Sequence, residues 1–331
     1  MKRLQHKISE STLTLPVVAV LVFLVWLIVT MADGSHKAVY QQCPQLVCLA
    51  ASTYLMVELS NANSLLRVRS RMVPATFLAL SAMSCSLIPS LPGGIAQLCF
   101  IGMLIILLRT YQDKQAPGWT FYAFLCLGLG SFVFVHLLLL VPLLWLLMAT
   151  QLQSHSFRNY LASLIGLLTP YWFIMPWVFY KQDFTPLVDH FRALGSFSRP
   201  NYAVLTMGQV SGYVFTIVVA AIGILHFWQH SYEDKIRTRQ FYGLFISVML
   251  ICSTWLALQP QLFDGLMQII IVCASPIIAH FFAHTNTRVS NIFFTTSLVL
   301  AAAITVLNIL SLQWQQLTST ATTLWNGLLS F

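Results

Sequence analysis

The sequence predicts an all-α, polytopic transmembrane bundle. Three observations carry that prediction. Hydrophobic residues make up 58% of the 331 residues and charged ones 8%, too few charges to cover a soluble globule of this length. The mean hydropathy is +0.78. The apolar residues also come in unbroken runs near 20 long rather than in ten-residue alternation, which excludes a transmembrane β-barrel. The formal charge of +8 is spread over short loops with no concentrated patch. It therefore reports membrane orientation and gives no footing for nucleic acid.

The first expected span is Leu13 to Met31, preceded by Lys2, Arg3 and Lys7. Its apolar core is long for a signal sequence, so it reads as a retained anchor. After the polar link Asp33 to Lys37, the second span is Val39 to Leu59, closed by Glu58, Asn61 and Asn63. Arg67, Arg69 and Arg71 alternate along the chain rather than stack, which suits a lipid-facing turn. Spans three and four, Val73 to Ile88 and Ile95 to Leu108, are joined by a turn rich in Pro and Gly.

The next stretch decides the threading of everything after it. From Gln115 to Phe157 there are forty-three residues without an Asp, Glu, Lys or Arg. As one straight helix, Trp119 to Thr150 would be about 48 Å long against a hydrocarbon slab of roughly 30 Å, yet two full spans need about 40 residues. The stretch reads as a short hairpin, Trp119 to about Phe132 one way and His136 to Thr150 back, loosened by Gly128, Gly130 and Pro142. Span seven, Phe157 to Tyr180, carries Pro170 and Pro176, and the longest polar loop follows, Lys181 to Asn201. Spans eight to eleven are Leu205 to Trp228, Phe241 to Leu258, Leu262 to Phe282 and Val289 to Leu310. The chargeless tail from Ser311 to Phe331, with Trp314, Leu317, Leu324, Trp325 and Leu328, is expected to form a helix lying in the membrane interface. The whole of 1–331 reads as one transmembrane domain of about eleven spans.

Counting Lys and Arg fixes the expected orientation. With the hairpin as two passes and the N-terminus cytoplasmic, the inside holds Lys2, Arg3, Lys7, Arg67, Arg69, Arg71, Arg109, Lys114, Arg158, Lys235, Arg237, Arg239 and Arg288. The outside holds Lys37, Lys181, Arg192 and Arg199, a ratio of thirteen to four. A single pass would flip the later loops and give eleven to six, so the hairpin is favoured. This reading puts the C-terminus on the outer face.

Three segments, Asn63-Ser-Leu-Leu-Arg-Val-Arg-Ser-Arg-Met-Val-Pro74, Gly128-Leu-Gly-Ser-Phe132 and Phe157-Arg-Asn-Tyr-Leu-Ala-Ser-Leu-Ile-Gly-Leu-Leu-Thr-Pro-Tyr171, resemble an uncharacterised family of integral membrane proteins of Bacteroidota. The resemblance implies a Gram-negative inner membrane, with the C-terminus then periplasmic, and supplies no mechanism.

Four features could carry chemistry. Asp33, just past span one on the expected outer face, stands where membrane glycosyltransferases using polyprenyl-phosphate sugars place a catalytic carboxylate, as general base on an acceptor hydroxyl. Arg192 and Arg199 on the same face could hold a lipid phosphate, because guanidinium grips phosphate oxygens as a fork. The competing reading is that these charges merely solvate turns. His136, beside helix-loosening glycines, could line a ligand cavity, or simply pack against a neighbouring carbonyl. Finally, His226 with His230 and His280 with His284 share an i, i+4 spacing at one expected depth, which would put imidazoles on common helix faces. Neither pair has an adjacent Asp or Glu as an HExxH motif does, so no metal is assigned. Seven cysteines, an odd number without CxxC spacing, give no thiolate site. No nucleotide-binding glycine pattern or GxSxG elbow occurs, and no cofactor is expected.

The function this favours is the handling of an envelope lipid or polyprenyl-linked glycan at the outer leaflet, in the manner of a glycosyl transferase or polymerase. The alternatives are a non-enzymatic scaffold or assembly subunit of a membrane complex, with a membrane protein as partner, and a permease. The shortage of charges midway along the spans weighs against the permease.

Overall fold

The computed structural model describes residues 5, 8–9, 11–32, 36–67, 70–87, 90–197, 199–285 and 287–329. Its α-helices, in chain order, are α1 (Thr14–Ala32), α2 (His36–Asn63), α3 (Met72–Met83), α4 (Leu91–Leu107), α5 (Pro117–Ser131), α6 (Val141–Thr150), α7 (Phe157–Lys181), α8 (Thr185–Leu194), α9 (Met207–His230), α10 (Ile236–Leu258), α11 (Phe263–His284) and α12 (Arg288–Leu329). Strands are absent among the described residues. Eight helices, α1, α2, α4, α7 and α9 to α12, are long and apolar enough to cross a bilayer. This is a multi-pass membrane protein.

At the centre stands α11, whose membrane window is buried over its whole circumference. Phe263 to Ala283 offers apolar or small side chains on nearly every side, and a helix apolar all round is one that neighbours enclose. It packs against α3, α4, α9 and α10. Its backbone is held across the core as well: the Thr76 hydroxyl donates to the Ser275 carbonyl at 3.1 Å and the Tyr242 hydroxyl to those of Leu65 and Pro276.

The chargeless stretch is a hairpin. Its two ends meet, with Gln112 N–H donating to the Leu152 carbonyl at 2.8 Å and Thr110 bonded to Ser154. Its tip reaches the far end of the bundle, where a side chain on Gly265, in the first turn of α11, would collide with the Phe134 ring. Two legs fit because each is short, fifteen residues in α5 and a 3₁₀ stretch, Val135–Leu140, running into ten residues of α6. Close approach makes up for the lost length. At Gly128 an added Cβ would stand 2.8 Å from the Leu167 carbonyl, and at Gly166 it would press on the Phe121 carbonyl. Small residues let α5 and α7 pack backbone to backbone, the usual route to tight association in lipid.

Two expectations are refined. The tail after Ser311 is helical to Leu329 and continues α12, which runs unbroken for 42 residues. At 1.5 Å per residue that is about 63 Å, roughly twice the hydrocarbon thickness. The Lys181 to Asn201 loop is also partly helical, since Pro186 near the start of α8 presets a helical φ and Asp183 accepts from Thr185 N–H.

The fold sorts the described basic residues by end. Arg67, Arg71, Arg109, Lys114, Arg158, Lys235, Arg237, Arg239 and Arg288 lie at the helix ends or turns of one end of the bundle, termed here the basic end. Lys37, Lys181, Arg192 and Arg199 lie at the other. Gln5 lies at the basic end, where it donates to Phe282 and Thr285, and α12 runs from there towards the opposite end.

Candidate functional site

The most densely built polar cluster among the described residues is at the basic end. Between α9 and α10 the chain reverses through Ser231–Glu233, with Asp234 N–H donating to the Ser231 carbonyl at 3.1 Å. The reversal turns the Asp234 carboxylate inward, leaving its side chain 2% exposed. A second turn faces it. After α2, Ser64 takes a left-handed φ of 47° and buries Leu65 and Leu66, so that the next residue, Arg67, projects across to the reversal. Arg67 Nε donates to Asp234 Oδ1 at 2.7 Å and its Nη1 to Glu233 Oε2 at 3.1 Å. From the core side, His280 on α11 brings Nε2 to 3.0 Å from Asp234 Oδ2. Each carboxylate oxygen thus has its own partner.

Burial by itself would push the Asp234 carboxyl up, but the hydrogen bonds from His280 and Arg67 outweigh it and hold the group down at about 2. The same contacts raise Arg67 against its own desolvation. Asp234 is therefore a carboxylate throughout the physiological range.

The histidines extend the cluster. His284, one turn beyond His280, stacks on it with ring centroids 4.3 Å apart. On α9, His226 and His230 stack in the same way at 4.4 Å. The Tyr242 and Phe227 rings pack against His280 at 4.8 and 5.5 Å and fix its plane. All four histidines, Arg67 and Glu233 line one cavity of about 450 Å³. Several buried nitrogens there have no hydrogen-bond partner: Nδ1 of His226, Nδ1 of His280 and both ring nitrogens of His284. Leaving such a group unsatisfied costs about 1–3 kcal/mol.

Beside it, sharing Arg67, Glu233 and the wall they form, lies a polar cavity of about 1000 Å³. Arg71 and Lys235 line it together with side chains such as Ser60, Asn61, Ser64 and Thr238. Arg71 is followed directly by Met72, which lines an apolar groove running between α1, α3, α9, α11 and α12 past Val18, Leu80, Val219, Ile278 and Phe294.

The residues singled out from sequence lie elsewhere. Asp33 falls outside the described residues. Arg192 is on α8 with 76% of its side chain exposed, paired with Asp189 at 3.2 Å. Arg199 is exposed, and its carbonyl accepts from the Gln261 amide. His136 is half-buried near the hairpin tip between the Phe134 and Trp255 rings. The fold brings none of these into the basic-end cluster. Sequence reading did find both histidine pairs, and their shared depth was the available signal. It missed Asp234 and Arg67, whose partners are 46 and 167 residues away along the chain. The chain matches no protein-family model, no curated protein and no solved structure.

Proposed function

We propose that this membrane protein binds a phosphate-bearing envelope lipid, with polyprenyl-phosphate-linked glycan the class favoured by the sequence, and that the headgroup enters the polar cavity at the basic end. One observation carries the reading: Arg71 in the polar cavity is followed by Met72 in the apolar groove. An amphiphile with an anionic head and a long tail matches that junction. Guanidinium and ammonium groups supply the phosphate contacts, and a cavity of about 1000 Å³ is of the size small-molecule sites have. The location proposed is a bacterial inner membrane with the basic end cytoplasmic, supported by the segregation of Lys and Arg. The headgroup then belongs to the cytoplasmic leaflet. An outer-leaflet site would rest on Asp33, Arg192 and Arg199, and of these Arg192 already has an acidic partner.

Native mass spectrometry of the full chain released from membranes tests this. Arg71→Ala and Lys235→Ala, both at exposed positions, are expected to lower phospholipid or polyprenyl-phosphate occupancy about tenfold or more each, the effect of losing one charged hydrogen bond. Arg192→Ala and Arg199→Ala are expected to leave it unchanged. Loss in the second pair alone moves the site to the opposite end, and full occupancy in all four variants favours the scaffold.

A further inference from the structure

We propose that Asp234, His280 and His284 form a binding site for a divalent first-row transition metal, zinc being the best match to the donor set. One ligand atom from each of the three residues can be chosen so that all lie within 4.8 Å of one another. Two imidazole nitrogens and one carboxylate oxygen are the donors of open, three-ligand zinc sites. The separation of Asp234 Oδ2 and His280 Nε2, 3.0 Å, is close to the roughly 3.3 Å between two ligands of a tetrahedral zinc with bonds of about 2.0–2.1 Å.

An ion pair by itself does not account for the whole cluster. Arg67 and His280 satisfy Asp234, yet His284 stacks beside them with both ring nitrogens buried and bonded to no side chain. A metal uses what the ion pair leaves over. The surroundings already do what an outer ligand shell does. Arg67 occupies Oδ1 and so aims Oδ2 at the histidines, while Tyr242 and Phe227 fix the His280 ring. The ion takes the place of the hydrogen now bridging Oδ2 and Nε2. That hydrogen moves to Nδ1 of the same ring if the imidazole is neutral, or to water if it is charged. The cavity of about 450 Å³ supplies the entry path and room for a fourth ligand, water or His226 from the facing wall. This site is independent of the lipid reading.

The test uses the full-length protein in detergent, without a histidine tag, stripped by chelator and titrated with Zn²⁺ by calorimetry and with Co²⁺ by visible absorption. One equivalent of Zn²⁺ is expected, with intense tetrahedral ligand-field bands for Co²⁺. His284→Ala is expected to weaken Zn²⁺ binding at least ~100-fold, more than loss of an outer-shell partner does, and it leaves the Arg67–Asp234–His280 contacts in place. His230→Ala, at an exposed position, is expected to bind as wild type does. Absence of stoichiometric Zn²⁺ in the wild type, or unchanged affinity in His284→Ala, overturns the proposal. So does loss of affinity on His230→Ala alone, because the ion then sits on the other pair.

Discussion

His280 Nε2 and Asp234 Oδ2 stand 3.0 Å apart although 46 residues separate them, and both side chains are almost wholly out of solvent. Removing one member strands the other. Truncating Asp234 leaves the buried His280 Nε2 without its acceptor, and an unsatisfied buried polar group costs about 1–3 kcal/mol. Asp234→Ala is therefore expected to lower the thermal midpoint in detergent markedly, whereas Asp189→Ala, which breaks only the exposed pair with Arg192, changes it little. Equal midpoints in the two variants would remove the buried pair as a stabilising element.

The same pair sets an acid limit. Asp234 is depressed from 3.8 to about 2 in the folded protein. A depressed carboxyl contributes stability that is present above its unfolded value and lost as pH falls through its folded one. The window is thus pH 4 down to 2, and the contribution is on the order of 2 kcal/mol. Melting temperatures across that range are expected to fall more steeply for wild type than for Asp234→Asn. Parallel curves would mean that Asp234 is not the group responsible.

Docking of the hairpin depends on bare backbone. An added methyl at Gly166 presses on the Phe121 carbonyl, a main-chain atom that cannot rotate away. Gly166→Ala is expected to destabilise by about 1–3 kcal/mol, the usual cost of overpacking, and Gly166→Leu to detach α5 from α7. Gly118, with open space around it, serves as the control. Cysteine cross-linking between α5 and α7 reads the outcome, and an undiminished yield in Gly166→Leu would refute the close-packing argument.

Threading is tested by reporter fusions. With the hairpin as two passes and the basic end cytoplasmic, alkaline phosphatase is expected to be active when fused after Asp189 and inactive after Arg237. The reverse pattern would place the basic end outside.

Much of this fold is legible in the sequence, since each span is a run of apolar residues whose length the bilayer dictates. Even the hairpin follows from arithmetic, because the chargeless stretch is too long for one pass and too short for two full ones. Where local reasoning failed, distant contacts decided. That the helix expected in the tail joins α12 without a break as far as Leu329 is seen only in the structure. Likewise the alternation of Arg67, Arg69 and Arg71 is read as a lipid-facing turn, yet Arg67 is drawn across to Asp234.

The candidate site divides the same way. By itself the sequence determined that four histidines sit in two i, i+4 pairs on two spans at one end of the membrane, because helical periodicity and hydropathy are local properties. Only the tertiary structure decided that both pairs line one cavity and that the missing carboxylate comes from the turn before α10, steered by an arginine 167 residues earlier. Hydropathy encodes depth along the membrane normal. Which helix faces which depends on side-chain packing between segments far apart in the chain, and no local pattern carries it.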